Sequence, residues 1–201
     1  MNLLREYRQF DRRCTRIEGI ARHAVAYRFD DPLLFETYLS HAIVALHDAW
    51  AFRCRAIVLR SAVGGARTVS GRTLPRAHVR PLECLRCGWG RRRMPRTWEP
   101  DWYIPAVAIR AATILGIANV NQITNGLGAS TVAEEVRITR NVVAHSLPAT
   151  WRRLRQLQLD LGHTGRETPA DFAVLRYPAV GLRHIERWIA ELRACIRVAV
   201  G

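Results

Sequence analysis

Lysine is absent from this chain: all 31 residues counted as Lys or Arg are arginine, against 17 acids and 7 histidines. The formal net charge is +14 and the pI about 11.1. A biased genomic composition would explain the missing lysine, but not an excess of 31 over 17. An acid-poor, arginine-only surface favours phosphate-bearing partners. An apolar signal core is also lacking in Met1-Asn-Leu-Leu-Arg-Glu6, and nothing points to secretion. The uncharged stretch from Ala111 to Ala133 holds Asn119, Asn121, Gln122, Asn125 and three glycines, which excludes reading it as a membrane span. The five cysteines are an odd number, which suits reduced thiols and a cytoplasmic location better than a disulfide framework. There is no internal repeat and no low-complexity tract.

What the chain does have is hydrophobic content, 49% of 201 residues, enough for one domain with its own core. Most of that content is spaced as on helices. Tyr7, Phe10, Cys14, Ile17 and Ala21 predict a first helix over residues 2–27. Asp31 as N-cap and Pro32 at the first helical position start a second, which runs to about Ala62 and stops at Gly64-Gly65. Leu39, Ile43, Leu46, Trp50 and Ile57 form its apolar stripe, with His47 and Asp48 midway along it, placed either to face an active-site cleft or to be solvated or satisfied within the bundle. Helical period returns from Pro105 with Val107, Ile109, Ile114 and Leu115, and a short helix follows Asn119. Thr131 and Glu134 read as a capping box for a helix packed through Val132, Val136 and Val143, with Ile138 or Thr139 between them. Pro148 opens the next helix, with Trp151, Leu154, Leu157 and Leu161 expected inward. The last carries Leu182, Ile185, Ile189, Leu192, Ile196 and Val200. The expected fold is an all-α bundle of four to five principal helices, one domain over residues 1–201, with an insertion at about 63–104.

That insertion is broken by glycine and proline and rich in arginine, including Arg91, Arg92 and Arg93. Trp89, Trp98 and Trp102 are interleaved, a mixture that suits single-stranded nucleic acid because guanidiniums hold phosphates while bases stack. Tryptophans anchoring the insertion onto the helices are the competing reading. Cys84-Leu-Arg-Cys87 is half of a zinc knuckle, with His78 as a conceivable third ligand. The chain holds no second pair, so Cys84 and Cys87 read as two free thiols and no metal or cofactor is expected.

The most informative stretch is Arg140-Asn-Val-Val-Ala-His145, at the end of the helix that Thr131 begins. It supplies a permanent cation, an amide and an imidazole within one and a half turns. Arginine can hold a phosphate bidentately, and histidine can move a proton near neutral pH. Those two tools suffice to cleave RNA, whose own 2′-hydroxyl is the nucleophile. Arginine and histidine five apart are expected about once by chance at this composition. Requiring Asn directly after the Arg and Ala directly before the His leaves only 140–145. Downstream, Arg152, Arg153 and Arg155 are placed to lead a phosphate chain toward His145.

The stretch resembles the R-N-x-x-A-H signature of the HEPN superfamily, compact all-helical proteins that include bacterial ribonuclease toxins and defence effectors. Arg140, Asn141, Ala144 and His145 match it position by position. The resemblance implies a homodimer in which two motif helices face one composite cleft. It also implies metal-independent RNA cleavage, with His145 as base, Arg140 neutralising charge at phosphorus and Asn141 orienting His145 or binding a phosphate oxygen. A cognate antitoxin or regulatory protein is a further implied partner. Two other classes compete: a non-catalytic HEPN-like module binding RNA, nucleotide or protein, and a zinc-dependent DNA-binding regulator resting on Cys84, Cys87 and the charge.

Overall fold

Helix geometry accounts for every regular element in the computed structural model, which describes residues 2–89, 98–179 and 181–201. Nine α-helices occur among the described residues: α1 (Leu3–Ala26), α2 (Pro32–Val63), α3 (Pro81–Gly88), α4 (Pro105–Ile114), α5 (Val120–Gly128), α6 (Val132–His145), α7 (Pro148–Asp160), α8 (Pro169–Val174) and α9 (His184–Ala199). The only strand-like pairings among them are isolated bridges, Asn2 with Arg67, Arg67 with Thr73 and Arg176 with Arg183. The chain is all-α. None of the described helices is long and apolar enough to cross a membrane.

The chain divides into two compact units, and α1, α2 and α9 each contribute to both. The first unit comprises residues 1–11, 50–130 and 193–201. Its core holds Phe10, Trp50, Ile57, Leu85, Ile123, Leu127 and Ile196, all nearly inaccessible. Glu6 is fully buried among these apolar groups and is held by both Arg53 and Arg60, the pairing a buried carboxylate requires. At Gly126 an added Cβ would lie 2.5 Å from the Ala199 nitrogen and 2.6 Å from the Cys195 carbonyl, so the approach of α5 to α9 requires glycine.

Much of the stretch expected to be irregular is held in place in this unit. Gly65 donates to the Leu74 carbonyl at 2.9 Å and Leu74 to that of Ala66 at 2.8 Å, a narrow turn. Leu3 donates to the Arg67 carbonyl at 2.8 Å, and Ser70 to that of Gly201 at 2.8 Å. The eight-residue α3 was not legible in a region so rich in helix breakers; helices this short rely on packing, here through buried Leu85. Trp102 is buried and donates to Glu99, which Arg55 grips at 2.5 and 2.8 Å. Trp89 lies under the Arg110 guanidinium at 4.9 Å and meets Trp98 edge-on. These contacts suit tryptophans that anchor the segment. Arg91, Arg92 and Arg93 lie outside the described residues.

The second unit comprises residues 12–49 and 131–192. Cys14, Ile17, Leu39, Ile43, Leu46, Val136, Phe172, Trp188 and Ile189 fill it. Asp31 caps α2 as its sequence predicts, its carboxylate accepting from the Leu34 N–H at 3.0 Å. Buried Glu135 accepts from the Trp188 indole at 2.7 Å and pairs with Arg187. Three expectations fail here. Val142, not Val143, completes the buried face of α6. Leu182 precedes α9 and is exposed. Trp151, expected inward, is 39% exposed, because the buried stripe of α7 runs through Leu154 and Gln158 instead.

Candidate active site

The sequence dictates both ends of α6, which carries the motif. At its start the Thr131 hydroxyl makes no cap hydrogen bond and Glu134 pairs with Arg137, so the expected capping box does not form. The Glu191 carboxylate of α9 takes that role. It accepts from the Thr131 N–H at 2.6 Å, the Val132 N–H at 3.1 Å and the Thr131 hydroxyl at 3.0 Å. An anion at a helix N-terminus satisfies orphan N–H groups and complements the macrodipole. At the other end Pro148 forces Leu147 to an extended ψ of 151°, so the helix must stop before it. Ser146 absorbs the reversal at φ 45°, the one non-glycine positive φ among the described residues, and donates back to the Val142 carbonyl at 2.9 Å. His145 is thereby left at an exposed corner between two helices.

Val132, Val136, Thr139 and Val142 bury one face of α6. Arg140 and His145 are about 140° apart around an ideal helix, so their side chains must converge by reach. They do. The Arg140 Nη1 lies 3.5 Å from His145 Nε2 and 3.4 Å from Asn141 Oδ1. Both distances are at the outer limit of hydrogen bonding, and a guanidinium can only donate, so the first contact counts as a hydrogen bond only with His145 Nε2 as acceptor. Arg140 Nε is buried with no acceptor, and Arg140 makes no ion pair among the described residues. A cation with no carboxylate partner beside an exposed imidazole is able to take a phosphate group.

From α2, His47 and Asp48 join this surroundings. His47 is buried to 7% exposure, and its Nδ1 lies 3.2 Å from the Asp48 carboxylate. Burial pushes its pKa below the usual histidine value; the Asp48 hydrogen bond works against that, while the Arg140 and Arg137 charges add to it. His47 is therefore neutral at pH 7. From sequence, His47 and Asp48 stood midway along an apolar stripe as residues able to face an active-site cleft, without Arg140 being named as a neighbour.

The remaining predicted residues are distributed unevenly. Arg152, Arg153 and Arg155 all project from α7 into solvent, and Arg152 and Arg155 line an open groove with Trp151 and Arg166. Trp151 and Arg166 were not singled out as functional from sequence. Cys84 Sγ lies 3.7 Å from His78 Nε2, while Cys87 is exposed. No group of three or more metal-ligating side chains gathers among the described residues. The fold and this arrangement define an all-helical chain with an arginine–histidine pair set at a helix corner. Known protein families, curated proteins and solved structures provide no match to it.

Proposed function

We propose that this chain is a metal-independent endoribonuclease of the HEPN type, acting in bacterial toxin or defence systems. The observation that carries the reading is the Arg140 guanidinium 3.5 Å from the ring of an exposed His145. His145 removes the proton from a ribose 2′-hydroxyl, and the 2′-oxygen attacks the adjacent phosphorus. Arg140 neutralises the charge that builds on the phosphorane oxygens, and Asn141 bonds a phosphate oxygen or steadies Arg140. The 5′-oxygen leaves with a proton, giving a 2′,3′-cyclic phosphate and a 5′-hydroxyl.

That leaving proton needs a second carrier. His47 is an unsuitable one, because its burial favours the neutral form at working pH. A homodimer would supply it, the His145 of a second copy acting as acid across a composite cleft.

The test is cleavage of end-labelled total RNA and tRNA in excess EDTA, beside His145→Ala and Arg140→Ala. Wild type should leave cyclic phosphate ends and each variant should lose at least 100-fold in rate, about the contribution of one acid–base or charge-stabilising group. Cleavage that persists in both variants would remove the motif from the mechanism. RNA binding without cleavage by any of the three would favour the non-catalytic module.

A further inference from the structure

The open groove beside α7 has a volume of about 410 Å³ and is walled by Trp151, Arg152, Arg155, Arg166 and Glu167. Trp151 and Arg155 are four residues apart, hence on one face of the helix. The opposite wall is the turn after α7, pinned to it where buried Gln158 donates to the Glu167 carbonyl at 2.9 Å. Gly165 lets that turn pass close: an added Cβ there would sit 3.1 Å from both Arg155 Cγ and Leu159 Cγ. The groove is thus built on a helix and a tethered turn.

Its chemistry is specific. Trp151 is 39% exposed, and its indole N–H donates to the Ser146 hydroxyl at 3.2 Å. That bond fixes the ring beside the residue that directly follows His145. Arg152, Arg155 and Arg166 make no ion pair among the described residues. The one carboxylate on the wall, Glu167, is already engaged by the Thr164 hydroxyl at 2.6 Å and the Arg166 N–H at 2.9 Å. An aromatic face held by a hydrogen bond, with three guanidiniums against one carboxylate, matches a nucleotide: the base stacks and the phosphates are held.

We infer that this groove is a subsite for an unpaired nucleotide of single-stranded RNA flanking the scissile phosphate, with Trp151 stacking its base and Arg155 and Arg166 holding its backbone. The inference rests on the ribonuclease reading for the placement of the scissile phosphate at His145, but the groove's own binding is measured separately. A base must be unstacked to lie on an indole, so the subsite selects single strands over duplex.

The experiment is fluorescence anisotropy with a 5′-fluorescein 12-nucleotide RNA of mixed sequence, single-stranded and as a duplex. The proteins are His145→Ala, to prevent cleavage, and the same chain carrying Trp151→Ala, Trp151→Phe or Arg155→Gln. Trp151→Ala should weaken single-strand binding about tenfold, the loss typical of one base–aromatic stack, and Trp151→Phe should recover most of it. Arg155→Gln should lower the slope of log affinity against log salt by about 0.7, one phosphate contact on a single strand. Equal affinity for the parent and Trp151→Ala, an equal loss on duplex, or no RNA binding by the parent would each overturn the subsite. Trp151-dependent binding by a protein that never cleaves RNA would uphold the subsite while the ribonuclease reading falls.

Discussion

Removing the Glu191 side chain tests how the motif helix is held. Its carboxylate reaches the start of α6 from another helix, accepting from two backbone N–H groups and the Thr131 hydroxyl. Loss of an N-cap acceptor costs about 1 kcal/mol, and loss of a negative charge at a helix N-terminus about 0.3–1 kcal/mol more. Glu191 is only half-buried, which argues against a larger figure, so Glu191→Ala should cost about 2 kcal/mol. In a chain of this size that lowers the thermal midpoint by roughly 4–8 °C. Glu191→Gln, which keeps an acceptor oxygen without the charge, should lose about half as much. The control is Glu134→Ala. Sequence makes Glu134 the capping residue, yet its carboxylate is 59% exposed and pairs with Arg137, so its loss should cost at most about 0.5 kcal/mol. Midpoints followed by far-ultraviolet circular dichroism decide the matter. A Glu191→Ala shift no larger than that of Glu134→Ala would refute the tertiary cap.

Glu6→Ala should be far more damaging, because it strips the charge partner from Arg53, itself buried, and from Arg60; about 3–5 kcal/mol is expected, read as a lower urea midpoint, and a loss under about 1 kcal/mol would refute the pairing. Stability should also fall with acid through His184, whose Nε2 lies 2.7 Å from that of His163. Burial, then the charges of Arg187 and His163, lower its pKa from 6.5 to about 3, so below pH 6.5 the unfolded chain binds the extra proton. The contribution is whole above about pH 6.5 and is lost as pH falls toward 3, at about 1.4 kcal/mol per unit. Urea midpoints at pH 7, 6 and 5 should diverge between wild type and His184→Gln, and parallel curves would sink the assignment.

Boundaries that depend on backbone chemistry were legible in the sequence. Asp31-Pro32 and Gly64-Gly65 bracket α2, and Leu147-Pro148 ends α6, because proline and glycine restrict the chain wherever they fall. What depends on distant partners was not. Glu191 caps a helix that begins 59 residues earlier in the chain, and no local pattern announces it. The six-residue α8 has its own cap, Thr168 accepting from Asp171, but too few residues to display a period. On α7, Gln158 counts as polar in any hydrophobic pattern, yet it is buried because the Glu167 carbonyl receives its amide. Grouping Trp151 with Leu154, Leu157 and Leu161 as inward placed it on the wrong side, and with it a wall of the groove. In the site, the six-residue motif was visible, and its convergence depended on how far an arginine side chain reaches.

That reach has a consequence for the proposed chemistry. The Arg140 Nη1 faces His145 Nε2, the nitrogen that in the proposed chemistry would accept the 2′-hydroxyl proton. The contact is long at 3.5 Å, so it is weak. A phosphate diester offers the same guanidinium a full negative charge and two oxygens in the geometry of its fork, a bond roughly twice as strong as a neutral one. Substrate would therefore win the competition and turn Arg140 away from the ring. The lone pair on His145 is then released by the binding of the phosphate whose neighbouring hydroxyl it must deprotonate. Arg140→Lys should separate these two effects. A lysine keeps the charge but presents a single point in place of a fork, so it should hold RNA with little loss of affinity. Its cleavage rate should nonetheless fall well below that of wild type, because the transition-state oxygens lose their bidentate partner. Single-turnover rates measured at saturating protein isolate that step from binding. A lysine variant that cleaves at the wild-type rate would mean that charge alone matters at position 140, and the fork-driven exchange would be wrong.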